Sequence, residues 1–594
     1  MNVSAALARI DDAVGRQHLT AAAADNVRTW LTEDRYAEYR DEVLAHIDAG
    51  QWQALDDAFW TVIPFGTGGR RGRMYPIGCN AINDRTIGES AQGLAEYVKS
   101  QVDSSELRCA IAYDTRHNSR KFAELCAEVM VAAGFEVVLL DEHRSTPELS
   151  YLVRRKHCSC GIMVTASHNP PSDNAVKVYW STGAQVLPPH DEKIIEGVMN
   201  VQEILRVPFQ EAVASGKVQM VTEETDAAYL SVVVGERFDG PRDLRVLFSP
   251  LHGVGATSVE PVLREDGFDV AVFPGHAEPS GDFPNVPDNV SNPENPAVFD
   301  AIVEYAVSEG YELALATDPD ADRMGCAAPL TWKTGSPWRT LTGNQLGALL
   351  ADFVIEQRGS LTPDHYVVTT LVTTGMIRRI ATSYGITTYD NLLVGFKWIC
   401  GQMDDAGPDR FLFGTEESHG YLTGQYARDK DGAVACMLIS EMAAKLKAEG
   451  LTLHEKLDSL YWQHGCHVER LLNVKMAGSE GMSRMQALMD GFRTEPPTEI
   501  GGAPIARMRD YANGRTTIAG GATEPLDGPR GNLIIFDLAE TGNSVAVRPS
   551  GTEPKVKFYM FGYTPAEQLA DLDDARAELN QRLDQMEEQL KALA

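Results

Sequence analysis

The sequence predicts a large α/β protein built from several domains. Its 594 residues correspond to about four domains at roughly 150 residues each. After an N-terminal stretch, short apolar segments such as 110–113, 136–140 and 245–248 alternate with amphipathic helical segments. This alternation favours mixed layers of sheet and helix. The hydrophobic fraction of 43% is sufficient for packed cores.

The same patterns suggest where the domains begin and end. The first sixty or so residues carry Ala and Leu at helical spacing, which indicates a helical extension. Later breaks coincide with prolines or with polar segments. The predicted units are an N-terminal helical extension at 1–60, α/β domain I at 61–207, α/β domain II at 208–330, α/β domain III at 331–465 and C-terminal domain IV at 466–594.

A serine and a histidine stand side by side in the segment 165–170, which reads Thr-Ala-Ser-His-Asn-Pro. The apolar run 161–164 predicts a buried strand, and Asn169 with the prolines after it ends that strand. Ser167 is therefore expected at the carboxyl end of a strand, where ligands bind in open α/β sheets. Its hydroxyl, beside the imidazole of His168, is a candidate phosphate carrier. The alternative is an ordinary hydrogen-bonded turn.

Three aspartates, Asp318, Asp320 and Asp322, alternate after the apolar strand 313–316. In an extended loop, residues two apart project to the same side, so the carboxylates can converge on one hard cation. Mg2+ fits because it takes few carboxylates and leaves positions open for phosphate oxygen. Arg323 occupies the position at which a calcium-binding EF-hand loop needs glycine. A solvated acidic turn is the alternative interpretation.

Arg548, Ser550, Gly551 and Thr552 form a third cluster, within the motif Val-Arg-Pro-Ser-Gly-Thr-Glu-Pro-Lys. An arginine binds phosphate in a bidentate manner, while turn N–H groups and hydroxyls take the remaining oxygens. The cluster predicts a phosphate-binding loop, with a plain Pro-Gly turn as the alternative.

A fourth loop follows the apolar strand 411–413 and contains Glu416, Ser418 and His419. Glu416 can accept hydrogen bonds from sugar hydroxyls and Ser418 can donate to them. His419 either contacts the sugar or caps the turn. Alone, this pattern is also typical of a helix cap.

Taken together and in this order, the four loops resemble those of the α-D-phosphohexomutase superfamily, over about residues 60–560. Further matches are the segments 65–72, 341–345, 395–398 and 428–432. The Glu-Glu-Ser-His-Gly-Tyr loop and the extended N-terminus are most similar to the longer phosphoglucomutase and phosphopentomutase branch. Phosphomannomutases and phosphoglucosamine mutases typically carry Gly-Glu-Met-Ser or Gly-Glu-Gln-Ser there. The resemblance implies three similar mixed α/β domains plus a smaller α+β C-terminal domain around a central cleft.

The resemblance also implies a function. The protein would interconvert glucose 1-phosphate and glucose 6-phosphate through a phosphorylated Ser167 and a glucose 1,6-bisphosphate intermediate, which is also an activator. One Mg2+ per chain would bind the three aspartates and the phosphate on Ser167. Lys177 is the candidate general base, and we expect crowding by cations or burial to lower its pKa. The implied catalytic residues are Ser167, His168, Lys177, Arg323 and Arg71; those for sugar are Glu416, Ser418, His419 and Lys397; those for phosphate are Arg548, Ser550, Gly551, Thr552 and Arg428.

Other functions are less favoured, though the choice of sugar stays open. A phosphomannomutase or phosphopentomutase would use the same mechanism, and a sugar-bisphosphate synthase is a weaker alternative. A phosphatase with Asp318 or Asp320 as nucleophile fits the Asp-x-Asp pattern, but Asp322 replaces the usual hydroxyl residue. A hydrolase also has no use for a second phosphate clamp. No Gly-x-x-x-x-Gly-Lys-Ser/Thr loop occurs, which disfavours a kinase. All the expected catalytic groups are present, which disfavours a protein that only binds sugar phosphates.

Composition limits the partners and the location. The net charge of −31 disfavours nucleic acid, because a polyanion would be repelled over most of the surface. Cationic loop residues would attract a sugar phosphate locally, since distant charges are screened beyond about 8 Å. No apolar run of about 18 residues predicts a membrane span, and no signal-peptide pattern opens the chain. Nine scattered cysteines fit a soluble cytoplasmic protein with reduced thiols. We expect sugar phosphates as partners and a monomer or weak homodimer.

Two positions depart from the family pattern. Arg70 stands where an apolar residue is usual, and we expect it to add a charge near the entrance of the site. Ala175 replaces a glycine just before the strand that carries Lys177, at a backbone angle that alanine tolerates.

Overall fold

The computed structural model describes residues 1–66, 68–103, 107–476, 481–550 and 555–593. The helices of this part of the chain are α1 (Val3–Gly15), α2 (Ala21–Thr32), α3 (Arg40–Asp48), α4 (Trp52–Phe59), α5 (Asp84–Gln101), α6 (Ser119–Ala132), α7 (Thr146–Arg155), α8 (His190–Asn200), α9 (Phe209–Ala214), α10 (Glu223–Val234), α11 (Val259–Asp266), α12 (Asp300–Glu309), α13 (Gly343–Arg358), α14 (Met376–Ser383), α15 (Phe396–Ala406), α16 (Gly432–Ala448), α17 (Leu453–His464), α18 (Gly481–Thr494) and α19 (Leu572–Leu593). The strands are β1 (Gly69–Arg73), β2 (Arg108–Tyr113), β3 (Glu136–Leu140), β4 (Cys160–Val164), β5 (Asp173–Trp180), β6 (Val218–Val221), β7 (Arg245–Ser249), β8 (Asp269–Val272), β9 (Leu313–Thr317), β10 (Met324–Pro329), β11 (Trp338–Leu341), β12 (Tyr366–Val368), β13 (Thr387–Tyr389), β14 (Phe411–Glu416), β15 (Gly420–Leu422), β16 (Cys466–Lys475), β17 (Glu499–Ile500), β18 (Ala503–Asp510), β19 (Arg515–Ile518), β20 (Thr523–Pro525), β21 (Ile534–Leu538), β22 (Ser544–Pro549) and β23 (Lys555–Thr564). Within the described ranges, no helix combines the length and the apolarity needed to cross a membrane.

Helices α1 to α4 form a small layer at the N-terminus. Asn2 caps α1 and Thr20 caps α2, each by accepting a hydrogen bond from a backbone N–H of the first turn. Trp30 is buried at the centre of the layer. Ile77, from the segment after β1, belongs to the same core, so the helical extension packs against domain I.

Domains I, II and III are built on the same four-strand core, which confirms the predicted fold class. In each core the first strand pairs in parallel with both the second and the third, and the fourth strand pairs antiparallel with the third. The core strands are β2 to β5 in domain I, β7 to β10 in domain II and β12 to β15 in domain III. The loop between the third and fourth strands therefore has the same position in all three domains.

Domain I extends this core at both edges. Strand β1 pairs antiparallel with β5, and β6 pairs in parallel with β3. Val137 of β3 and Val218 of β6 are register partners, and both are buried. The boundary that we predicted at residue 207 therefore falls inside domain I, because the sheet continues to the end of β6.

Domain IV has a different architecture. Its sheet runs in the order β16-β23-β22-β21-β18-β19-β20, with β17 paired to β18, and neighbouring strands are antiparallel. Helices α18 and α19 cover one face, where Met489, Leu583 and Met586 share a core with Phe536 and Phe558. This α+β form is the one expected for the C-terminal domain.

Candidate active site

Ser167 lies in the loop between β4 and β5, the third and fourth core strands of domain I. Its backbone is left-handed, with a φ of 51°, a conformation that costs a non-glycine residue about 1–2 kcal/mol. Local hydrogen bonds offset this strain. The N–H of Ser167 donates to Thr165 Oγ1 at 2.8 Å, and Thr165 Oγ1 donates to Asp114 Oδ2 at 2.6 Å. Ser167 is 4% exposed, so its surroundings are set by neighbouring side chains rather than by bulk water.

The corresponding loop of domain II joins β9 to β10 and carries the three aspartates. All three are buried, and one oxygen of each lies within 4.8 Å of the others. Ser167 Oγ donates to Asp318 Oδ2 at 2.5 Å. Thr146 Oγ1 of domain I donates to Asp320 Oδ2 at 2.7 Å. The structure thus brings the serine loop and the aspartate loop together across the boundary of domains I and II.

The aspartate cluster fits a divalent cation. Asp320 Oδ1 and Asp322 Oδ1 are buried and have no hydrogen-bond partner among the described residues. Burial, followed by the charges of Asp322 and Asp320, raises the pKa of Asp318 well above its ordinary value, as expected for carboxylates that repel one another. Converging carboxylate oxygens with few other partners are the donor set that Mg2+ prefers.

Two lysines from different domains reach these carboxylates. Lys177 Nζ lies 2.7 Å from Asp320 Oδ2 and 3.6 Å from Asp322 Oδ2. Lys430 Nζ, from domain III, lies 3.1 Å from Asp322 Oδ2. Burial alone would raise the pKa of Asp320, but Lys177 outweighs it and the pKa is lowered.

The pKa of Lys177 shifts in the direction opposite to our prediction. Burial lowers it, but Asp320 and Asp322 outweigh burial, so the pKa is raised. The sequence showed neighbouring cations, whereas in the structure the closest charged groups to the amine are carboxylates.

Arg323 closes the aspartate loop. Its backbone N–H donates to Asp318 Oδ1 at 3.1 Å, and its Nε lies 3.8 Å from Asp318 Oδ2 and from Asp322 Oδ1. Its guanidinium is also ion-paired with Glu294. These carboxylates raise the pKa of Arg323 despite its burial, so it is a permanent cation beside the aspartate cluster.

His168 lies next to Ser167 but is not a cation at neutral pH. Its Nδ1 is 3.3 Å from Ser167 Oγ. Burial, Arg323 and Arg71 lower its pKa well below the ordinary value, so the catalytic role predicted for His168 would not rest on a positive charge. Arg71 lies in β1, opposite Ala175 of β5, and is close enough for its charge to act on the pKa of His168.

The loop that we predicted to recognise the sugar occupies the corresponding position in domain III, between β14 and β15. Glu416 is 4% exposed, and its Oε1 lies 3.7 Å from Lys430 Nζ. Ser418 is half-buried beside it. His419 exchanges contacts with β10 of domain II, because the N–H of Met324 donates to His419 O and His419 Nδ1 lies 3.1 Å from Met324 O. His419 therefore fastens the loop to domain II.

The phosphate loop of domain IV follows β22. Arg548 and Ser550 lie at its start, where the N–H of Ser550 donates to Lys555 O at 2.7 Å. Gly551 and Thr552 lie outside the described residues. The predicted arginine and first hydroxyl thus lie at the end of β22, which pairs antiparallel with β23.

Lys557 links domain IV electrostatically with the other loops. Its charge contributes to the lowered pKa of His168. Burial and the charge of Glu416 raise the pKa of Glu417 to about 8, and the charge of Lys557 partly opposes this rise. Glu417 Oε2 is buried and has no hydrogen-bond partner in the described ranges. Lys557 of strand β23 therefore lies near both the serine loop and the loop that carries Glu417.

Lys397 and Arg428 have contacts other than the predicted ones. Lys397 Nζ donates to Val186 O at 3.0 Å and to Asp191 Oδ2 at 3.3 Å, both in domain I. Arg428 is 2% exposed, and its Nε donates to Asp404 Oδ1 at 2.8 Å. Both side chains stabilise domain III or its junction with domain I, so these contacts do not support their predicted roles in binding substrate.

The two positions that depart from the family pattern, Arg70 and Ala175, have simple structural explanations. Arg70 is 1% exposed, and its Nη1 donates to Thr86 O and to Glu89 Oε2 at 3.0 Å. The expectation that Arg70 adds a charge near the entrance of the site is therefore wrong, because Arg70 is buried and ion-paired with Glu89. Ala175 lies in extended strand β5, where alanine is unstrained.

Four known sequence families match successive parts of the chain. Their descriptions are phosphoglucomutase/phosphomannomutase alpha/beta/alpha domain I at residues 63–204, domain II at 227–330, domain III at 342–463 and C-terminal domain at 471–579. The chain belongs to the phosphoglucomutase/phosphomannomutase family. The order of the domains is the one that the four loops predicted.

Relatives within the phosphoglucomutase/phosphomannomutase family align along most of the chain. The phosphoglucomutase of Staphylococcus saprophyticus is 33% identical over 546 residues, covering 90% of this chain and 95% of the relative. The phosphoglucomutase of Staphylococcus haemolyticus is 32% identical over 540 residues, covering 89% and 96%.

Solved structures share the fold. A phosphoglucomutase/phosphomannomutase family protein from Burkholderia thailandensis superposes with a TM-score of 0.63 at 15% identity, covering 88% of this chain and 97% of its own. The open form of parafusin, a phosphoglucomutase from Paramecium, gives 0.62 at 17% identity, covering 88% and 94%.

Two residues of this family member contribute to the site although sequence reasoning assigned neither of them to catalysis or to binding of substrate or metal. Lys430 reaches Asp322 and Glu416, and Thr146 binds Asp320. Lys430 lies in the segment 428–432, which matched the family, so a signal existed. Thr146 offered none, because its role depends on a contact with another domain.

Proposed function

We propose that the protein is a phosphoglucomutase that interconverts glucose 1-phosphate and glucose 6-phosphate. The observation that carries the proposal is the 2.5 Å hydrogen bond from Ser167 Oγ to Asp318 of the aspartate cluster. A serine hydroxyl held at three converging carboxylates is the arrangement required for metal-assisted transfer of a phosphoryl group to and from Ser167. The names of the aligned relatives, phosphoglucomutase in each case, support glucose as the sugar.

In the proposed reaction a phosphoryl group passes from Ser167 to the free hydroxyl of the sugar monophosphate. The bond from phosphorus to Ser167 Oγ breaks, and a bond to the sugar oxygen forms, which gives glucose 1,6-bisphosphate. The hydroxyl proton goes to a base, and the departing Ser167 Oγ takes up a proton. The second phosphate of the intermediate then returns to Ser167 Oγ, which gives up its proton, and the sugar oxygen that carried this phosphate takes up a proton. Such transfers depend mainly on positioning and on charge stabilisation.

Lys177 remains our candidate for the proton transfers. Asp320 and Asp322 raise the pKa of Lys177 in the protein without substrate, so its amine holds its proton. Lys177 must therefore leave Asp320 and contact the substrate hydroxyl before it can accept a proton. Arg323 supplies fixed positive charge beside the transferring group. His168, uncharged, acts through its ring nitrogen 3.3 Å from Ser167 Oγ.

One Mg2+ per chain would be held by Asp318, Asp320 and Asp322 together with an oxygen of the phosphate on Ser167. When bound, the cation would neutralise negative charge on the transferring phosphoryl group. The buried oxygens of Asp320 and Asp322, which have no protein hydrogen-bond donor in the described ranges, support this assignment.

Recognition is divided between domains III and IV in this proposal. Glu416 and Ser418 form hydrogen bonds with two ring hydroxyls. Because the sugar can bind them in either of two flipped orientations, each of its phosphates can be placed next to Ser167. Arg548 and Ser550, with Gly551 and Thr552, bind the phosphate that is not reacting. We also propose that the protein works in the cytoplasm as a monomer or weak homodimer.

The test is phosphomutase activity on glucose 1-phosphate, mannose 1-phosphate and ribose 1-phosphate, with magnesium and a trace of the matching bisphosphate. Wild type should isomerise glucose 1-phosphate most efficiently, and Ser167→Ala should lose isomerisation on all three. A higher kcat/KM for mannose or ribose phosphate would change the sugar assignment. Release of inorganic phosphate by wild type, with no isomer formed, would instead make the protein a phosphatase.

A further inference from the structure

Arg116 and Asp114 form a buried ion pair behind the serine loop. Arg116 is 3% exposed, and its Nε lies 3.3 Å from Asp114 Oδ2. The N–H of Arg116 donates to Asp114 Oδ1 at 3.0 Å, and Ser119 Oγ donates to the same oxygen at 2.7 Å. The pair directly follows β2, so the sheet of domain I fixes the position of the guanidinium.

The guanidinium of Arg116 donates hydrogen bonds to four backbone carbonyls of the serine loop. Its Nη1 donates to Pro170 O at 2.7 Å and to Asp173 O at 3.1 Å. Its Nη2 donates to Ser167 O and to Asn169 O. Because the five N–H donors of arginine form a rigid planar fork, these bonds define the path of the loop.

One consequence concerns the amide that follows Ser167. The peptide bond is planar and trans, so the N–H of His168 points away from the carbonyl of Ser167 and hence away from Arg116. This N–H has no hydrogen-bond partner among the described residues. It is a donor on the side of the loop opposite the guanidinium.

Arg116 also touches the domain that carries the aspartates. The ring of Phe283, from domain II, lies 4.9 Å from the guanidinium carbon. The neighbouring Gly281 is so close that a Cβ there would lie 2.6 Å from the N atom of His117. The guanidinium therefore lies between the serine loop and domain II.

We propose that Arg116 is a positioning residue for phosphoryl transfer. By binding the carbonyls of residues 167–173, it holds Ser167 in its left-handed conformation and aims the N–H of His168 at an oxygen of the phosphoryl group on Ser167. Arg116 itself touches neither the substrate nor the reacting atoms. The kinetic consequence of this inference rests on the proposed function.

The test compares Arg116→Met with Arg85→Met, a matched control. Arg85 is also 3% exposed and also donates to backbone carbonyls, those of Arg35, Val201 and Gln202, but in domain I away from the serine loop. Both variants should melt at lower temperature. Per folded enzyme, Arg116→Met should lose about 100-fold in kcat on glucose 1-phosphate with little change in KM, the size expected for misplaced reacting groups. Arg85→Met should keep its kcat, and Arg116→Lys should recover part of the loss.

Hydrogen exchange gives a readout that needs no substrate. The hydrogen-bonded amides of Ser167 and Asn169 should exchange about tenfold faster in Arg116→Met than in wild type and be unchanged in Arg85→Met. Wild-type exchange and wild-type kcat in Arg116→Met would overturn the inference, as would equal losses in the two variants. An inactive wild type would overturn the proposed function instead, and the exchange rates would still decide whether Arg116 holds the loop.

Discussion

Replacing Lys430 by methionine should destabilise the junction of domains II and III. Its Nζ lies 3.1 Å from Asp322 Oδ2, 3.6 Å from Asp429 Oδ1 and 3.7 Å from Glu416 Oε1. The lysine side chain is 8% exposed, and the three carboxylates are at most 5% exposed. Methionine preserves much of the side-chain volume but removes the charge, so buried carboxylates lose their shared cation.

The structure sets the size of the effect. Removing one partner of a buried ion pair typically costs about 3–5 kcal/mol. Lys177 and Arg323 remain 3.6 Å and 3.8 Å from Asp322, so the lower end, about 3 kcal/mol, applies. The carboxylates raise the pKa of Lys430 well above 10.5 despite burial. Its contribution is therefore fully present below that pH and is lost only as pH rises through the higher folded-state value, so the loss in Lys430→Met should be constant from pH 6 to pH 9.

Native-state hydrogen exchange is the suitable assay, because a chain of several domains does not unfold in two states. The opening free energy of the amides at 428–432 should fall by about 3 kcal/mol. Lys193→Met, at an exposed ion pair with Glu196, is the control and should leave the opening free energy at 428–432 nearly unchanged, because solvent screens an exposed pair. Adding Asp322→Asn to Lys430→Met should recover part of the loss. Unchanged exchange at 428–432 would show that the other cations suffice, and the reasoning from buried charge would fail.

Three further predictions concern single groups of the site. Burial raises the pKa of Glu417 to about 8, so ionisation of Glu417 opposes folding increasingly as pH rises from about 4.5 to 8. Glu417→Gln should therefore raise the melting temperature at pH 8 and leave it nearly unchanged at pH 4.5. A gain of equal size at both pH values would contradict a cost from the buried charge. Magnesium at 100 times its Kd should stabilise wild type by about 2.7 kcal/mol, whereas Asp318→Asn should show little magnesium-dependent rise in melting temperature. Arg428→Met should melt earlier than wild type but keep its KM for glucose 1-phosphate; a raised KM at unchanged stability would restore the phosphate role first assigned to Arg428.

The sequence predicted the loops well because their positions depend on local patterns. Each apolar run ends in polar residues, and a strand followed by a turn places those residues at a sheet edge. Contacts between domains have no such local pattern. Thr146 binds Asp320 from a helix N-terminus in another domain, and Lys397 was assigned to substrate although Asp191 holds it. The direction of the Lys177 pKa was wrong for the same reason, since the carboxylates that decide it come from domain II.

The repeated core explains how loops with different chemical groups come to occupy equivalent positions in three domains. In domains I, II and III the functional loop joins the third core strand to an antiparallel fourth strand, so both ends of the loop are held by neighbouring strands of one sheet. Only the side chains differ: a hydroxyl in domain I, three carboxylates in domain II, a carboxylate and a hydroxyl in domain III. The loops of domains II and III concentrate negative charge, which by itself would repel a phosphate. Domain IV, with its different fold, adds the cations Arg548 and Lys557, and the charge of Lys557 acts on both His168 and Glu417. We therefore expect substitutions in its phosphate loop to act mainly on KM, and those at Ser167 and the aspartates to act mainly on kcat.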